Sequence, residues 1–333
     1  MKRFRIGTRR SDLALWQARF VQQRLEAAFP RMAVELVTMD TEGDKRLEVP
    51  LSSVAGKGFF TAEIEERLYS GEIDIAVHSL KDLPTVLPEG LGIGAYCERG
   101  DARDAFLGKD GPAFDALPPP ARVGTSSLRR PAPLRPLRPD VECVEIRGNL
   151  ATRWRKLQEA DDMDGIVLAA AGVIRLGWQE RITQFFDPLT VLSAPGQGVV
   201  AVESLTARKE VQEALAAVNH RPTELAARAE RCFLALLGGG CQTPIASFAT
   251  VEDGPIRLAG SVLSLDGTEL VHVTETGHRP QQVGEPAAPP APPPGAGPPP
   301  RPPSPPPPPH QRGPRPRLEQ TPQVALLGAA PRH

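Results

Sequence analysis

The stretch Ile73-Asp74-Ile75-Ala76-Val77-His78-Ser79-Leu80-Lys81-Asp82, residues 73–82, decides how the whole chain is read. Ile73, Ile75 and Val77 recur at period two and place apolar groups on one face of a strand. That strand runs straight into a turn bearing a cation, Lys81, and a carboxylate, Asp82. In open α/β sheets ligands gather just beyond the carboxyl ends of strands, so such a turn is well placed for chemistry.

The flanking sequence has the matching α/β pattern. Residues 3–8 read as a strand, and Ser11 suits the cap of a helix in which Leu13, Trp16, Phe20, Val21 and Leu25 recur at helical spacing. Ala33 to Met39 alternates as a strand, and Phe59 to Leu68 suits a helix. The pattern starts afresh near residue 102, after Glu98-Arg99-Gly100-Asp101, which marks a crossing into a second domain. There Arg122 to Gly124 reads as a strand end, Thr125-Ser126-Ser127 as a helix cap, Val141 to Ile146 as a strand and Asn149 to Glu159 as a helix. A further strand and helix fill residues 165–185, and the turn Ala194-Pro195-Gly196-Gln197-Gly198 leads back toward the first domain. Pro222 to Leu237 is a helix with proline in its first turn and Gly238 at its stop. Strands at Ile245 to Val251, Ile256 to Ser264 and Leu270 to Thr276 form a third, small sheet.

The expected architecture is α/β, with residues 1–98 and 196–216 in one domain and 102–192 in a second. A small α+β domain spans 220–278, and a Pro-rich tail covers 279–333. Of the 38 prolines, 21 lie between Pro280 and Pro331, and the tail has no Ile, Phe, Tyr or Trp. Such a composition cannot bury enough apolar surface to offset chain entropy, so the tail is expected to be extended or disordered.

With 39 basic against 40 acidic residues, the balance points to neither nucleic acid nor an anionic membrane as partner. The cysteines Cys97, Cys143, Cys232 and Cys241 form no C-x-x-C and have no paired histidines, which argues against a zinc site and fits a reducing cytosol. Arg9-Arg10 is followed by no apolar run, and no stretch approaches a membrane span. The expectation is a soluble, cytoplasmic, monomeric protein.

Arg9, Lys57, Lys81, Arg129, Arg130, Arg147 and Arg153 all fall in turns or helix starts beside strand ends. A guanidinium matches a carboxylate through two parallel hydrogen bonds, so the set suits a ligand bearing several carboxylates. Thr125, Ser126 and Ser127 would add hydroxyls and backbone amides. Any one arginine alone is more often a solvated surface group; it is the clustering that points to an anion. Phosphate is the competing anion, but neither G-x-x-x-x-G-K-[ST] nor a helix-opening G-x-G-x-x-G occurs, and Gly56-Lys57-Gly58 is too short for a phosphate loop. Asp82 could merely cap its turn or pair with Lys81, yet a carboxylate in a basic cleft is expected to stay ionised and to stabilise a developing cation. Cys241 by composition is a small buried residue, and the preceding Gly238-Gly239-Gly240 shifts that reading toward an accessible thiol.

Seven motifs occur in an order and spacing that resemble one family. They are Arg5 to Ser11 with Leu13-Ala14-Leu15-Trp16-Gln17, Gly56-Lys57-Gly58, His78 to Pro84, Gly124 to Arg130, Arg147-Gly148-Asn149, Ala194 to Gly198, and Gly239-Gly240-Cys241-Gln242. Along residues 3–276 the chain resembles the porphobilinogen deaminase (hydroxymethylbilane synthase) family. The resemblance implies two periplasmic-binding-protein-like α/β domains around a cleft. It also implies a transferase that joins four porphobilinogen molecules head to tail, releasing ammonia and finally hydroxymethylbilane. Cys241 matches the cysteine that holds a dipyrromethane cofactor by a thioether, and Asp82 matches the catalytic aspartate. Lys81, Asp82, Ser79, Thr125, Ser127, Arg129, Arg130 and Arg147 match cofactor contacts, and Arg9, Ser11, Gln17, Arg147, Arg153, Gln197 and Lys57 match substrate contacts.

The chain also departs from the family pattern. Ser53 stands where lysine is common, Phe59 where leucine is, and Gly238 where an acidic residue is usual. In addition, proline-rich sequence replaces the helices that normally follow the third sheet. A non-catalytic carboxylate-binding module and an inactive homologue are the competing readings, and the deaminase reading alone requires both Asp82 and Cys241.

Overall fold

The structure, a computed structural model, describes residues 3–41, 61–239, 243–251, 254–264 and 270–287. It opens with β1 (Arg3–Arg9), α1 (Asp12–Ala28) and β2 (Ala33–Met39), the strands parallel as a helical crossover permits. The Ser11 hydroxyl accepts the Ala14 amide at 3.4 Å, and Ala18, Val21 and Leu25 turn the apolar stripe of α1 onto the sheet. Next come α2 (Ala62–Tyr69), β3 (Ile75–Ser79) and β4 (Leu91–Tyr96), with β3 parallel to β1. Beyond Ser79 a single 3₁₀ turn, Leu80–Asp82, carries Lys81 and Asp82 past the sheet edge.

The chain then crosses to a second sheet, made of β5 (Asp104–Gly108), β6 (Arg122–Gly124), β7 (Glu142–Val144), β8 (Gly165–Ala169) and β9 (Gln184–Phe185). Its helices are α3 (Pro131–Leu137), α4 (Leu150–Glu159) and α5 (Ala170–Arg175). Thr125-Ser126-Ser127 was expected to cap a helix and does not. The Thr125 hydroxyl accepts the Ser127 amide at 3.3 Å in a turn, and α3 starts only at Pro131, where a fixed φ suits the first helical turn. Asn149, expected as the first residue of a helix, instead caps α4, its side chain accepting the Thr152 amide at 2.8 Å.

Strand β10 (Val200–Leu205) returns to the first sheet, and α6 (Lys209–Ala216) covers it. The strand orders are β2-β1-β3-β10-β4 and β7-β6-β8-β5-β9. Each sheet thus has three parallel strands in a row, followed by an antiparallel strand adjoining a crossing. The two crossings run side by side, with the Cys97 amide donating to Val200 O at 2.9 Å and the Gly100 amide to Gly198 O at 3.0 Å.

The third sheet is an antiparallel meander of β11 (Ile245–Val251), β12 (Ile256–Leu263) and β13 (Leu270–Gly277), preceded by α7 (Arg221–Leu236). The expectation that extended tail begins at residue 279 is corrected, because Pro280–Ala287 forms a helix, α8. Proline is tolerated in a first turn, and Val283 and Ala287, one turn apart, are buried with Phe233, Leu258 and Ile256. Gly284 permits the close approach of α8 to α7, since a Cβ there would lie 2.7 Å from that of Cys232 and 2.8 Å from Ala229 O. The third sheet therefore keeps a helical packing partner.

Glu230 of α7 ties this third unit to both crossings. Fully buried, it accepts two hydrogen bonds from Arg99 Nη2, at 2.8 and 2.6 Å, and the amides of Gly196 at 2.6 Å and Ala249 at 2.7 Å. Removing one charge of a buried pair strands the other. Glu230→Gln is therefore expected to lower unfolding free energy by about 3 kcal/mol, read from urea midpoints, and an unchanged midpoint would contradict this reading.

Candidate active site

Residues just past the carboxyl ends of β1, β3, β6, β7 and β8 line a cleft of about 660 Å³. It lies where an open α/β sheet is expected to bind a ligand. Gln17, Ser79, Lys81, Asp82, Ser127, Arg129, Arg130, Arg153 and Gln197, widely separated in sequence, all face it. Its apolar wall includes Leu13, Leu150, Leu168 and Ala171.

Gln17 Nε2 donates to the Ser79 hydroxyl at 2.8 Å, which joins α1 to the end of β3. Lys81 is half-buried, and desolvation pushes its ammonium down to about 8, with Asp82 working against the shift and Arg130 and Arg129 adding to it. Desolvation likewise brings Arg153 down to about 10, and its Nε donates to Gly148 O at 2.7 Å. Asp82 itself is exposed at the cleft.

Behind the cleft wall lies Asp104, which the sequence reading did not single out. Burial alone would raise its carboxyl, but Arg129 and Arg130 outweigh that and hold it well below the usual carboxylate range. Arg175 was also missed; it lines the cleft, donates to Gly198 O at 2.6 Å and lies 5.3 Å from the Trp16 ring centroid. A buried charge near a strand start or a helix end has no local signature when its partners are distant in sequence.

Four expected site residues are absent from the cleft lining. Ser11 caps α1; Thr125 accepts Arg130 Nη1 at 3.1 Å, behind the wall; Arg147 donates to Glu145 at 2.5 Å beside the lining residue Gly148; and Arg9 ends β1. Lys57 and Cys241 lie outside the described residues, as do Ser53 and Phe59. Leu234, Thr243 and Ile245, which flank the segment containing Cys241, do line the cleft. Among the described residues there is no three-ligand metal cluster, and no helix is long and apolar enough to cross a membrane.

Fold and site together define a two-lobed α/β cleft protein equipped to hold a ligand with several carboxylates. Residues 4–213 match the family profile "Porphobilinogen deaminase, dipyromethane cofactor binding domain", and residues 224–289 match "Porphobilinogen deaminase, C-terminal domain". This chain belongs to the porphobilinogen deaminase family. The porphobilinogen deaminase of Desulfitobacterium hafniense (strain DSM 10664 / DCB-2) is 54% identical over 284 residues, covering 85% of this chain and 92% of its own. That of Syntrophomonas wolfei subsp. wolfei (strain DSM 2245B / Goettingen) is 51% identical over 269 residues, covering 81% and 88%. Among solved structures, the methionine binding protein MetQ superposes with a TM-score of 0.41 at 12% identity, covering 65% of this chain and 89% of its own, too distant a likeness to bear on function.

The lining suits a dipyrromethane: apolar side chains can pack against its rings and cationic groups can meet its carboxylates. Lys81, Arg129, Arg130 and Arg153 supply those cationic groups, and Leu13, Leu150 and Leu168 the apolar ones.

The depressed Lys81 value has a thermodynamic consequence. The folded chain releases this proton near 8 and the unfolded chain near about 10.4. Between those values the unfolded state binds more protons, so this group makes stability rise with pH, and below about 8 the full penalty of holding the cation is present. The stability advantage of Lys81→Met over the unsubstituted chain should therefore shrink between about pH 7 and about pH 9.5. Urea titrations at both values test this, and an advantage that grows would refute it.

Proposed function

We propose that this chain, in the cytosol, adds porphobilinogen units head to tail to a dipyrromethane held by Cys241, releasing ammonia at each addition and hydroxymethylbilane at the end. The observation that carries this reading is the placement of Asp82, an exposed carboxylate at a cleft whose other charged lining residues, among those described, are Lys81, Arg129, Arg130, Arg153 and Arg175. When bound, the dipyrromethane supplies the nucleophilic pyrrole carbon to which substrate is joined.

The substrate's aminomethyl group must leave as ammonia, which makes the remaining pyrrole electron-poor. Asp82 is assigned the task of accepting pyrrole N–H groups and stabilising that developing positive charge. Lys81, Arg129, Arg130 and Arg147 are assigned to the cofactor's carboxylates, with Ser79 and Ser127 as neutral donors and Thr125 acting through Arg130. Arg153, Arg9 and Lys57 are assigned to the substrate's acetate and propionate groups. Gln17 and Gln197 orient their neighbours, and Ser11 holds the start of α1. Free thiols at Cys97, Cys143 and Cys232 suit a reducing compartment.

Asp82→Asn keeps the side-chain volume and removes the charge at an exposed position, so it should leave thermal unfolding unchanged while lowering kcat by about 10²–10³-fold. Denaturing intact-mass measurement supplies the second readout. The unsubstituted chain should exceed the polypeptide mass by one dipyrromethane and gain single pyrrole steps on incubation with porphobilinogen, while Cys241→Ser should stay bare. A bare unsubstituted chain that gains nothing would sink the proposal.

A further inference from the structure

We propose that Asp104 is a positioning residue: one buried carboxylate fixes Arg129 and Arg130 in the cleft wall and, through Gln197, fastens both to the crossing between the lobes. This rests on the reading of the cleft as the porphobilinogen site. Asp104 is fully buried and does not line the cleft, whereas both guanidiniums and Gln197 do.

Five hydrogen bonds converge on this carboxylate. Oδ1 accepts from Arg129 Nη2 at 2.9 Å, Arg130 Nη2 at 2.9 Å and Gln197 Nε2 at 3.0 Å. Oδ2 accepts from Arg129 Nη1 at 2.7 Å and Arg130 Nε at 3.1 Å. Each planar guanidinium is thus held through two nitrogens, which fixes its plane as well as its position. The remaining donors are largely used: Arg129 Nη1 reaches Leu192 O at 2.5 Å and Nη2 reaches Gln197 Oε1 at 3.2 Å, while Arg130 Nη1 reaches Val167 O at 2.8 Å and Thr125 Oγ1 at 3.1 Å. The buried donor left over is Arg129 Nε. Two cations and one anion leave a single net positive charge behind the wall. The guanidiniums are aligned before any ligand arrives, so a bound carboxylate need not spend its binding energy ordering them.

Gln197 extends the arrangement into the crossings. Its Nε2 also donates to Ala102 O at 2.8 Å and Arg103 O at 3.2 Å on the outgoing crossing. Its neighbours Gly196 and Gly198 hold φ of 76° and 83°, a backbone that side chains resist. A change of angle between the lobes displaces Gln197, and Gln197 shares Asp104 Oδ1 with both guanidiniums. Anion grip and lobe geometry are therefore coupled through one oxygen.

Asp104→Asn keeps the shape but removes the charge and turns an amide N–H toward guanidinium N–H groups. In the ligand-free protein, hydrogen exchange over residues 98–104 and 192–198 should speed up. In turnover, KM for porphobilinogen should rise by about tenfold or more with a smaller change in kcat, and Asp104→Glu should recover most of that KM. Unchanged exchange at the crossings, or a loss confined to kcat, overturns the proposal. If Asp104→Asn does not fold, Gln197→Leu, which leaves the Arg–Asp pairs in place, should still speed exchange over 98–104; no change there overturns it equally. An unsubstituted chain that gains no mass with porphobilinogen defeats the functional reading instead, and the exchange measurement still decides the role of Asp104.

Discussion

A carboxylate removed from water must be met by cations or neutralised, and two such carboxylates sit where the three parts of this molecule join. Asp104 gathers Arg129, Arg130 and Gln197, and Glu230 gathers Arg99 and the amides of Gly196 and Ala249. Neither pairing can relax without stranding charge in a poorly solvated place, a cost larger than most single packing defects. The crossings are consequently held by directional contacts as well as by the zipper between Gly100 and Gly198. That division of labour suits lobes that keep their own cores while their mutual angle is governed by a few polar contacts.

The cleft follows from the same economy of topology. In each sheet three parallel strands deliver their carboxyl ends to one edge, and the turns that follow carry the polar residues. Ser79 ends β3 and Lys81 and Asp82 follow it, Ser126 to Arg130 follow β6, and Gly148 and Asn149 follow β7. The result is a wall in which cations outnumber carboxylates although the chain as a whole carries a formal charge of only -1. The proposed recognition of a polycarboxylate here rests on local electrostatics in a partly desolvated site, where such contacts are stronger than on an open surface. The third unit closes the arrangement by bringing Leu234, Thr243 and Ile245 to the same cleft.

The exposed Asp82 and the buried Asp104 show how one residue type serves opposite ends in one site. Asp82 faces the space where substrate is assigned to react, free of any rigid partnership with the guanidiniums behind it. Asp104 never faces that space and is committed to holding two of those guanidiniums in place. Solvent exposure separates the two assigned roles, and of the pair only Asp82 carried a local signal, its place in the turn beyond β3.

By itself the sequence determined the alternation of strands and helices, the cap at Ser11, the helix beginning near Asn149, the run of β3 into Lys81 and Asp82, and the clustering of basic residues beside strand ends. These follow from periodicity and turn chemistry, which act over a few residues and leave a local trace. Its motifs also identified the family. Tertiary structure alone decided which cations face the cleft and which serve the framework, because burial and pairing depend on partners such as Asp104 and Arg129, 25 residues apart. It likewise decided that Thr125 braces an arginine instead of capping a helix, and that Pro280–Ala287 is helical. In both places local composition pointed elsewhere: the Arg130 side chain, five residues on, claims the Thr125 hydroxyl, and packing against α7 holds the helix.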